Sequence, residues 1–241
     1  MYSRNKLKKI EIRSEVIRAI NSKEIIEVKN RSDLILKNLV CSDLWRNADI
    51  VFTYLSIDNE VETVEIVKCA VINDKKVAVP RIVGKKLVFF LISDHVTFDF
   101  ATCNMSSIYE ILNTDKYDKD DRLPGDSILS SSYIDPYHER HFEFNQFNIL
   151  EPKIHLPVIY FENLKNYSIL LIVPGIAFTK EKYRLGRGGG YYDRTIHELR
   201  EHELKSLSAV GIFFEEQLVK ELPLDSWDEK LDNIVTEKNI Y

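Results

Sequence analysis

The sequence predicts a single α/β domain of three layers, with helices on both faces of a mixed but mainly parallel sheet. Three observations carry that expectation. Ser168-Ile-Leu-Leu-Ile-Val173 is an unbroken apolar run of strand length, suited to a central strand buried on both faces. Strand-like segments alternate with segments of helical spacing, the pattern of layered α/β proteins. Gly84 separates two adjacent strand-like runs and predicts one antiparallel hairpin in the sheet.

Taken in order, Ile12, Val16 and Ile20, joined by Leu7, Ile10 and Ile17, fall at near-helical intervals. They predict an amphipathic helix with a basic flank over the first twenty-odd residues. A second helix is expected after Ser32-Asp33. Asp49-Ile-Val-Phe-Thr-Tyr-Leu-Ser56, short, β-branched and aromatic, reads as a strand, and Val64, Val67 and Val71 follow with helical spacing. Lys76-Val-Ala-Val79 predicts a strand stopped at Pro80, and Leu87-Val-Phe-Phe-Leu-Ile92 the strand after it. From residue 113 to about 145 the rhythm breaks: Asp115, Asp118, Asp120, Asp121 and Asp126, the turn signal Pro124-Gly125 and Ser130-Ser-Ser132 read as a polar insertion. It reads as a lid, a lineage-specific excursion or a partly disordered segment, with disorder or decoration expected ahead of function. Pro174-Gly175 ends the central strand, Tyr192, Ile196 and Leu199 resume helical spacing, and Ser208-Ala-Val-Gly-Ile-Phe-Phe214 supplies a further strand.

With 241 residues, 44% of them hydrophobic, the chain can bury a substantial core. A net charge of -5, from 33 basic and 38 acidic side chains, provides no field for nucleic acid or an anionic membrane, so neither partner is expected. Cys41, Cys69 and Cys103 lie far apart and form no C-x-x-C, which argues against a disulfide framework or structural zinc and for a reducing, cytoplasmic setting. No segment approaches the ~18 continuous apolar residues of a membrane span. Glu11 and Glu15 argue against a transit peptide in the basic start. His138-Glu-Arg-His141 and His197-Glu-Leu-Arg-Glu-His202 both miss the H-E-x-x-H spacing of a zinc site.

The chemistry concentrates in Arg184-Leu-Gly-Arg-Gly-Gly-Gly-Tyr-Tyr-Asp193. Between a buried strand and a helix, amide N–H groups of Gly186 to Gly190 can converge on phosphate oxygens. Glycine permits positive φ and close approach, and Arg184 and Arg187 add forked donors suited to phosphate. Neither G-x-x-x-x-G-K-[ST] nor the dinucleotide fingerprint occurs, so no common nucleotide fold is implied. Asp193 offers a hard oxygen ligand for a Mg²⁺ that shares substrate phosphates.

Val173-Pro-Gly-Ile-Ala-Phe178 followed by that loop resembles the signature of the 5-formyltetrahydrofolate cyclo-ligase (methenyltetrahydrofolate synthetase) family. Further pieces appear in the family's order: Lys9 and Arg13, Tyr54-Leu-Ser-Ile-Asp-Asn-Glu-Val-Glu-Thr63, Val79-Pro-Arg81, Asn148-Ile-Leu-Glu-Pro152 and Lys230-Leu-Asp-Asn-Ile-Val-Thr-Glu237. The insertion and the less acidic Thr179-Lys-Glu-Lys-Tyr183 depart from the pattern. The resemblance implies a fold like that of the sugar-isomerase and CoA-transferase-like group. It also implies conversion of 5-formyltetrahydrofolate, with ATP and Mg²⁺, to 5,10-methenyltetrahydrofolate, ADP and phosphate. Lys9, Arg13 and Arg184 through Tyr192, including Leu185, Gly186, Gly188, Gly189, Gly190 and Tyr191, would then bind ATP. Leu55, Glu60, Glu151 and Arg187 through Tyr191 would meet the folate. Arg187, Glu60 and Glu151 are the expected catalytic groups, and Asp193 and Asp232 the expected metal ligands, in a monomer. Two rivals share the fold: a nucleotide- or folate-binding regulator, which intact Glu60, Arg187 and Asp193 argue against, and a sugar-phosphate isomerase, which would need no ATP.

Overall fold

The computed structural model describes residues 4–21, 24–58, 60–92, 141–145 and 149–241. The chain opens with α1 (Arg4–Asn21), α2 (Ile25–Val40) and α3 (Asp43–Arg46), followed by β1 (Ile50–Phe52), α4 (Val64–Ile72), β2 (Lys76–Val83) and β3 (Lys86–Leu91). It continues through β4 (Phe142–Phe144), β5 (Leu150–Pro152), β6 (Ser168–Val173), β7 (Ala177–Phe178) and β8 (Arg184–Leu185) to α5 (Tyr191–Glu201), β9 (Ser206–Ile212) and β10 (Asn233–Val235). Most of the polar insertion, with Cys103, His138 and Asn148, lies outside the described residues.

Six strands form one sheet in the order β10-β9-β6-β1-β2-β3. Every pairing is parallel except β2 with β3. β6 lies between β9 and β1, and all six of its residues are buried, as its uninterrupted apolar sequence requires. Leu170 and Ile172 face α2 and α4, packing with Ile35, Leu39, Ile66 and Val67. Ile169, Leu171 and Val173 face the other way, towards Ile196 and Leu199 of α5. Alternation along one strand thus feeds two cores and makes three layers. α1 is held separately, Val16 and Ile20 packing on Ile176, Ala177 and Leu185 at the β7–β8 pair.

Three boundaries differ from the sequence reading. α2 begins seven residues before Ser32, at Ile25, because the apolar spacing reaches back to buried Val28. Ser32 sits inside the helix, its hydroxyl donating to Val28 O at 2.8 Å and accepting from Glu62 N at 3.0 Å. β1 leaves the ladder after Phe52; Tyr54 turns its hydroxyl to Val61 O (2.9 Å) and its carbonyl accepts from Thr63 Oγ1 (2.6 Å). β2 does not stop at Pro80. Ile92 N donates to Val77 O and Pro80 stands opposite Phe89, so the hydrogen-bonded pairs with β3 fall on odd-numbered β2 residues. The nitrogen of Pro80 therefore points away from β3, beyond the end of β1, where no ladder donor is needed.

Candidate active site

A cleft of about 610 Å³ opens at the carboxyl edge of the parallel strands, the edge where open α/β sheets hold ligands. Tyr54 and Leu55 after β1, Pro80 and Ile82 in β2, and Pro174 and Gly175 after β6 line it, and Glu151 of β5 joins them. Lys9 and Arg13 of α1 and the whole stretch Arg184 through Asp193 complete the walls.

The glycine loop follows from local conformation. Gly188 has φ of 108° and Gly190, the N-cap of α5, is left-handed with φ of 62°, both regions that side chains disfavour. The turn sets the amino end of an 11-residue helix on the cleft, so its partial positive charge and unpaired amides face inward. Arg13 Nε donates to Gly186 O at 2.8 Å and ties α1 to the loop. Burial lowers the Arg13 pKa from its ordinary value, with Asp228 opposing that shift.

Arg184 is the most telling side chain. It is 3% exposed and stands 3.2 Å from Asp193 Oδ1, yet Nε and Nη2 have no hydrogen-bond acceptor among the described residues. A buried guanidinium left in that state is costly unless an anion completes it. Its carbon lies 5.9 Å from the ring centre of Tyr192, and Arg194 covers Tyr191 at 5.1 Å. Burial raises the Tyr192 hydroxyl far above its usual range, so it stays protonated.

Across the loop, Arg187 Nη2 and Nε reach Glu60 Oε1 at 3.1 and 3.2 Å, and Nη2 also reaches Asp58 Oδ2 at 3.2 Å. Burial raises the Glu60 carboxyl above its ordinary value, while Arg187 and the Ile57 amide pull it back. Glu151 is 5% exposed; Oε1 accepts from Ile82 N (3.3 Å), and Oε2 lies 3.7 Å from Arg81 Nε. Arg81 also donates to Glu143 at 2.6 Å and to Pro152 O at 2.9 Å.

Asp232 stands apart from the other expected site residues. It does not line the cleft: Oδ2 accepts from Ala209 N at 2.7 Å and Oδ1 from Arg200 at 3.2 Å, so its carboxylate anchors the β9–β10 edge. The aspartates that join Asp193 in lining the cleft are Asp225 and Asp228. Glu229 N donates to Asp193 Oδ1 at 3.2 Å, which brings that turn beside α5. Lys9 is clasped by Asp225 (2.8 Å) and Asp228 (2.6 Å). Burial alone would lower the lysine pKa; the two hydrogen bonds and charges outweigh it and raise it. The described residues hold no group of three or more His, Cys, Asp or Glu able to bind a metal unaided. Asp193 and Asp228 suit a hard cation that brings phosphate oxygens as its other ligands. Asp225, Trp227 and Asp228 escaped the sequence reading, hinted at only by the adjacency of Asp225-Ser-Trp-Asp228 to the motif from Lys230; Asp58 lay within the Tyr54–Thr63 motif but was not singled out.

The family described as 5-formyltetrahydrofolate cyclo-ligase matches this chain over residues 5–237. A Haemophilus influenzae 5-formyltetrahydrofolate cyclo-ligase is 40% identical over 91 residues, 38% of this chain and 46% of that protein. The Schizosaccharomyces pombe and Escherichia coli alignments likewise cover only 38% and 48% of those relatives' lengths. A mouse protein named 5-formyltetrahydrofolate cyclo-ligase aligns over 231 residues at 22% identity, 94% of this chain and 92% of its own. Among solved structures, Aquifex aeolicus 5,10-methenyltetrahydrofolate synthetase superposes with a TM-score of 0.65 at 22% identity, covering 96% of this chain and 91% of that one. The Mycoplasma pneumoniae 5,10-methenyltetrahydrofolate synthetase gives 0.59 at 18%, over 95% and 98%. At those identities the structural likeness is one of fold, and the family match spans nearly the whole sequence. The chain belongs to the 5-formyltetrahydrofolate cyclo-ligase family.

Proposed function

We propose that the chain uses ATP to close 5-formyltetrahydrofolate to 5,10-methenyltetrahydrofolate, with release of ADP and phosphate. The observation that carries this reading is the buried Arg184, which has Asp193 as its ion-pair partner but no hydrogen-bond acceptor for Nε or Nη2 among the described residues, beside a glycine-rich helix start in the same cleft as Glu60 and Glu151. Arg184, Arg13, Lys9 and the amides of Gly186 to Gly190 form the phosphate side. Leu55, Glu60 and Glu151 form the folate side, and Arg187 reaches between the two.

In this scheme the formyl oxygen attacks the γ-phosphorus, the bond to the bridging oxygen breaks, and ADP leaves. The formyl carbon becomes a phosphorylated iminium. The neighbouring amine nitrogen attacks that carbon and loses its proton, and phosphate departs with the former formyl oxygen as the ring closes. No protein nucleophile is required; the fold supplies orientation and preorganised positive charge. Glu60 suits the proton transfer, since burial holds its carboxyl above the ordinary range and Arg187 restrains the rise. Arg187 must first exchange Glu60 and Asp58 for the substrates. Asp193, with Asp228 in the place expected of Asp232, would hold Mg²⁺, which would neutralise phosphate charge when bound. We take the chain as a monomer; the scattered cysteines support a cytoplasmic setting, and the segment 113–145 is read as dispensable. The test follows methenyl-folate absorbance with 5-formyltetrahydrofolate, with and without ATP and Mg²⁺. Product is expected only with both; turnover without ATP, or none at all, overturns the reading.

A further inference from the structure

Trp227 is 67% exposed although it lines the cleft. The chain has two tryptophans, and the other, Trp45, is 1% exposed. A large aromatic surface left in water inside a cleft is a standing gain for whatever flat group covers it. Its position is held firmly. Asp225 N donates to Asp228 Oδ2 at 2.8 Å and Asp228 N to Asp225 O at 3.0 Å, closing the turn that presents Trp227. Lys9 clasps both aspartates, and Asn5 Nδ2 donates to Leu224 O at 3.2 Å, so the turn is fastened to α1. Ile10 of α1, 44% exposed, follows Lys9 in that helix and lines the same cleft.

The end of the cleft at Trp227 is defined by its neighbours. Along α1, Arg13 meets the glycine loop at Gly186, Lys9 lies one turn outward, and Ile10 and the Trp227 turn lie beside it. Glu60 is reached from the loop's other side through Arg187. A triphosphate on the loop therefore has the folate groups on one side and an apolar, aromatic rim on the other. We infer that Trp227, with Ile10, forms the platform on which the nucleobase of ATP stacks, and so fixes which end of the nucleotide faces the folate. This rests on the reading of the cleft as an ATP site and adds the base contact to it. Stacking on a ring face tolerates any base with a flat surface and needs no hydrogen-bonded edge.

The test pairs Trp227→Ala and Trp227→Phe with the native enzyme, ATP and inorganic tripolyphosphate. Trp227→Ala should raise the KM for ATP by about 5- to 100-fold, the range of one base stacked on an aromatic ring, with the KM for formyl-folate within about twofold. Trp227→Phe should recover most of that loss. Tripolyphosphate, which has no base, should bind both variants and the native enzyme alike by calorimetry. ATP should quench native tryptophan fluorescence and leave the Trp45 signal of Trp227→Phe unchanged. If ATP binds natively and Trp227→Ala leaves its KM within twofold, or raises the folate KM instead, the base platform is wrong and the ATP site stands. If calorimetry finds no ATP binding to the native enzyme, both the cleft reading and this inference fall.

Discussion

Arg187→Ala separates what the loop contributes to folding from what it contributes to chemistry. The Arg187 side chain is 49% exposed and Asp58 69%; Glu60 is 15% exposed, but both pairs open to water at the arginine end and are largely screened there. Exposed pairs of this kind contribute about 0–1 kcal/mol. For a chain of this length that is a shift in Tm of about 2–4 °C at most. If Arg187 instead meets charge that develops during phosphoryl transfer, its loss should lower kcat by about 10²- to 10³-fold, or about 3–4 kcal/mol. Arg187→Lys should recover little, because an ammonium cannot reproduce the forked contacts. Steady-state kinetics and thermal unfolding on the same preparation decide the matter. A kcat within tenfold of native, or a stability loss matching the activity loss, would make Arg187 structural and refute the reasoning. The pH profile adds a second readout. Burial already raises the Glu60 carboxyl and Arg187 opposes it, so Arg187→Ala must raise it further. Being raised on folding, this carboxyl disfavours the folded state as it ionises, so its contribution to stability falls as pH climbs towards the folded pKa. An activity that needs Glu60 ionised should show its acid limb move to higher pH in the variant.

Gly188→Ala should cost about 1–3 kcal/mol in urea unfolding and raise the KM for ATP, because φ of 108° strains any side chain although Arg13 Nη2 stands no nearer than 3.5 Å to the added carbon. A native KM would detach the loop conformation from nucleotide binding. Asp193→Ala removes the ion-pair partner of a guanidinium 3% exposed, and should destabilise by about 3 kcal/mol or more. A loss under about 1 kcal/mol would show Arg184 balanced by other means. Ser32→Ala leaves the Glu62 amide without its acceptor, at about 1–3 kcal/mol. Because that amide steadies the segment carrying Glu60, the KM for formyl-folate should rise while that for ATP holds, as paired kinetics would show.

The two-faced burial of β6 was legible because five consecutive apolar residues, Ile169 to Val173, admit few other places in an α/β protein. The turn at Gly188 and Gly190 was legible because glycine marks where backbone must do unusual things, and both take positive φ. Pro80 misled because proline reports only that a donor is missing; whether that matters depends on which side of β2 has a neighbour, and β1 had already ended. Ser32 misled because a serine that caps a helix and one that bonds back within it are the same letter. Asp232 and Asp228 lie four residues apart beside one motif, and only the fold shows that the first turns to the Ala209 amide and the second to the cleft. Trp227 carried no signal in isolation; its meaning comes from Lys9, 218 positions earlier, holding its turn against α1.

The central claim is that the formyl oxygen is phosphorylated by ATP in this cleft. Turnover of 5-formyltetrahydrofolate labelled with ¹⁸O in the formyl group tests it most directly, with mass analysis of the phosphate released and parallel counts of ADP and methenyl-folate. The account predicts one ADP and one ¹⁸O-bearing phosphate for each ring closed. Label recovered in water, or ring closure without ADP, would contradict it.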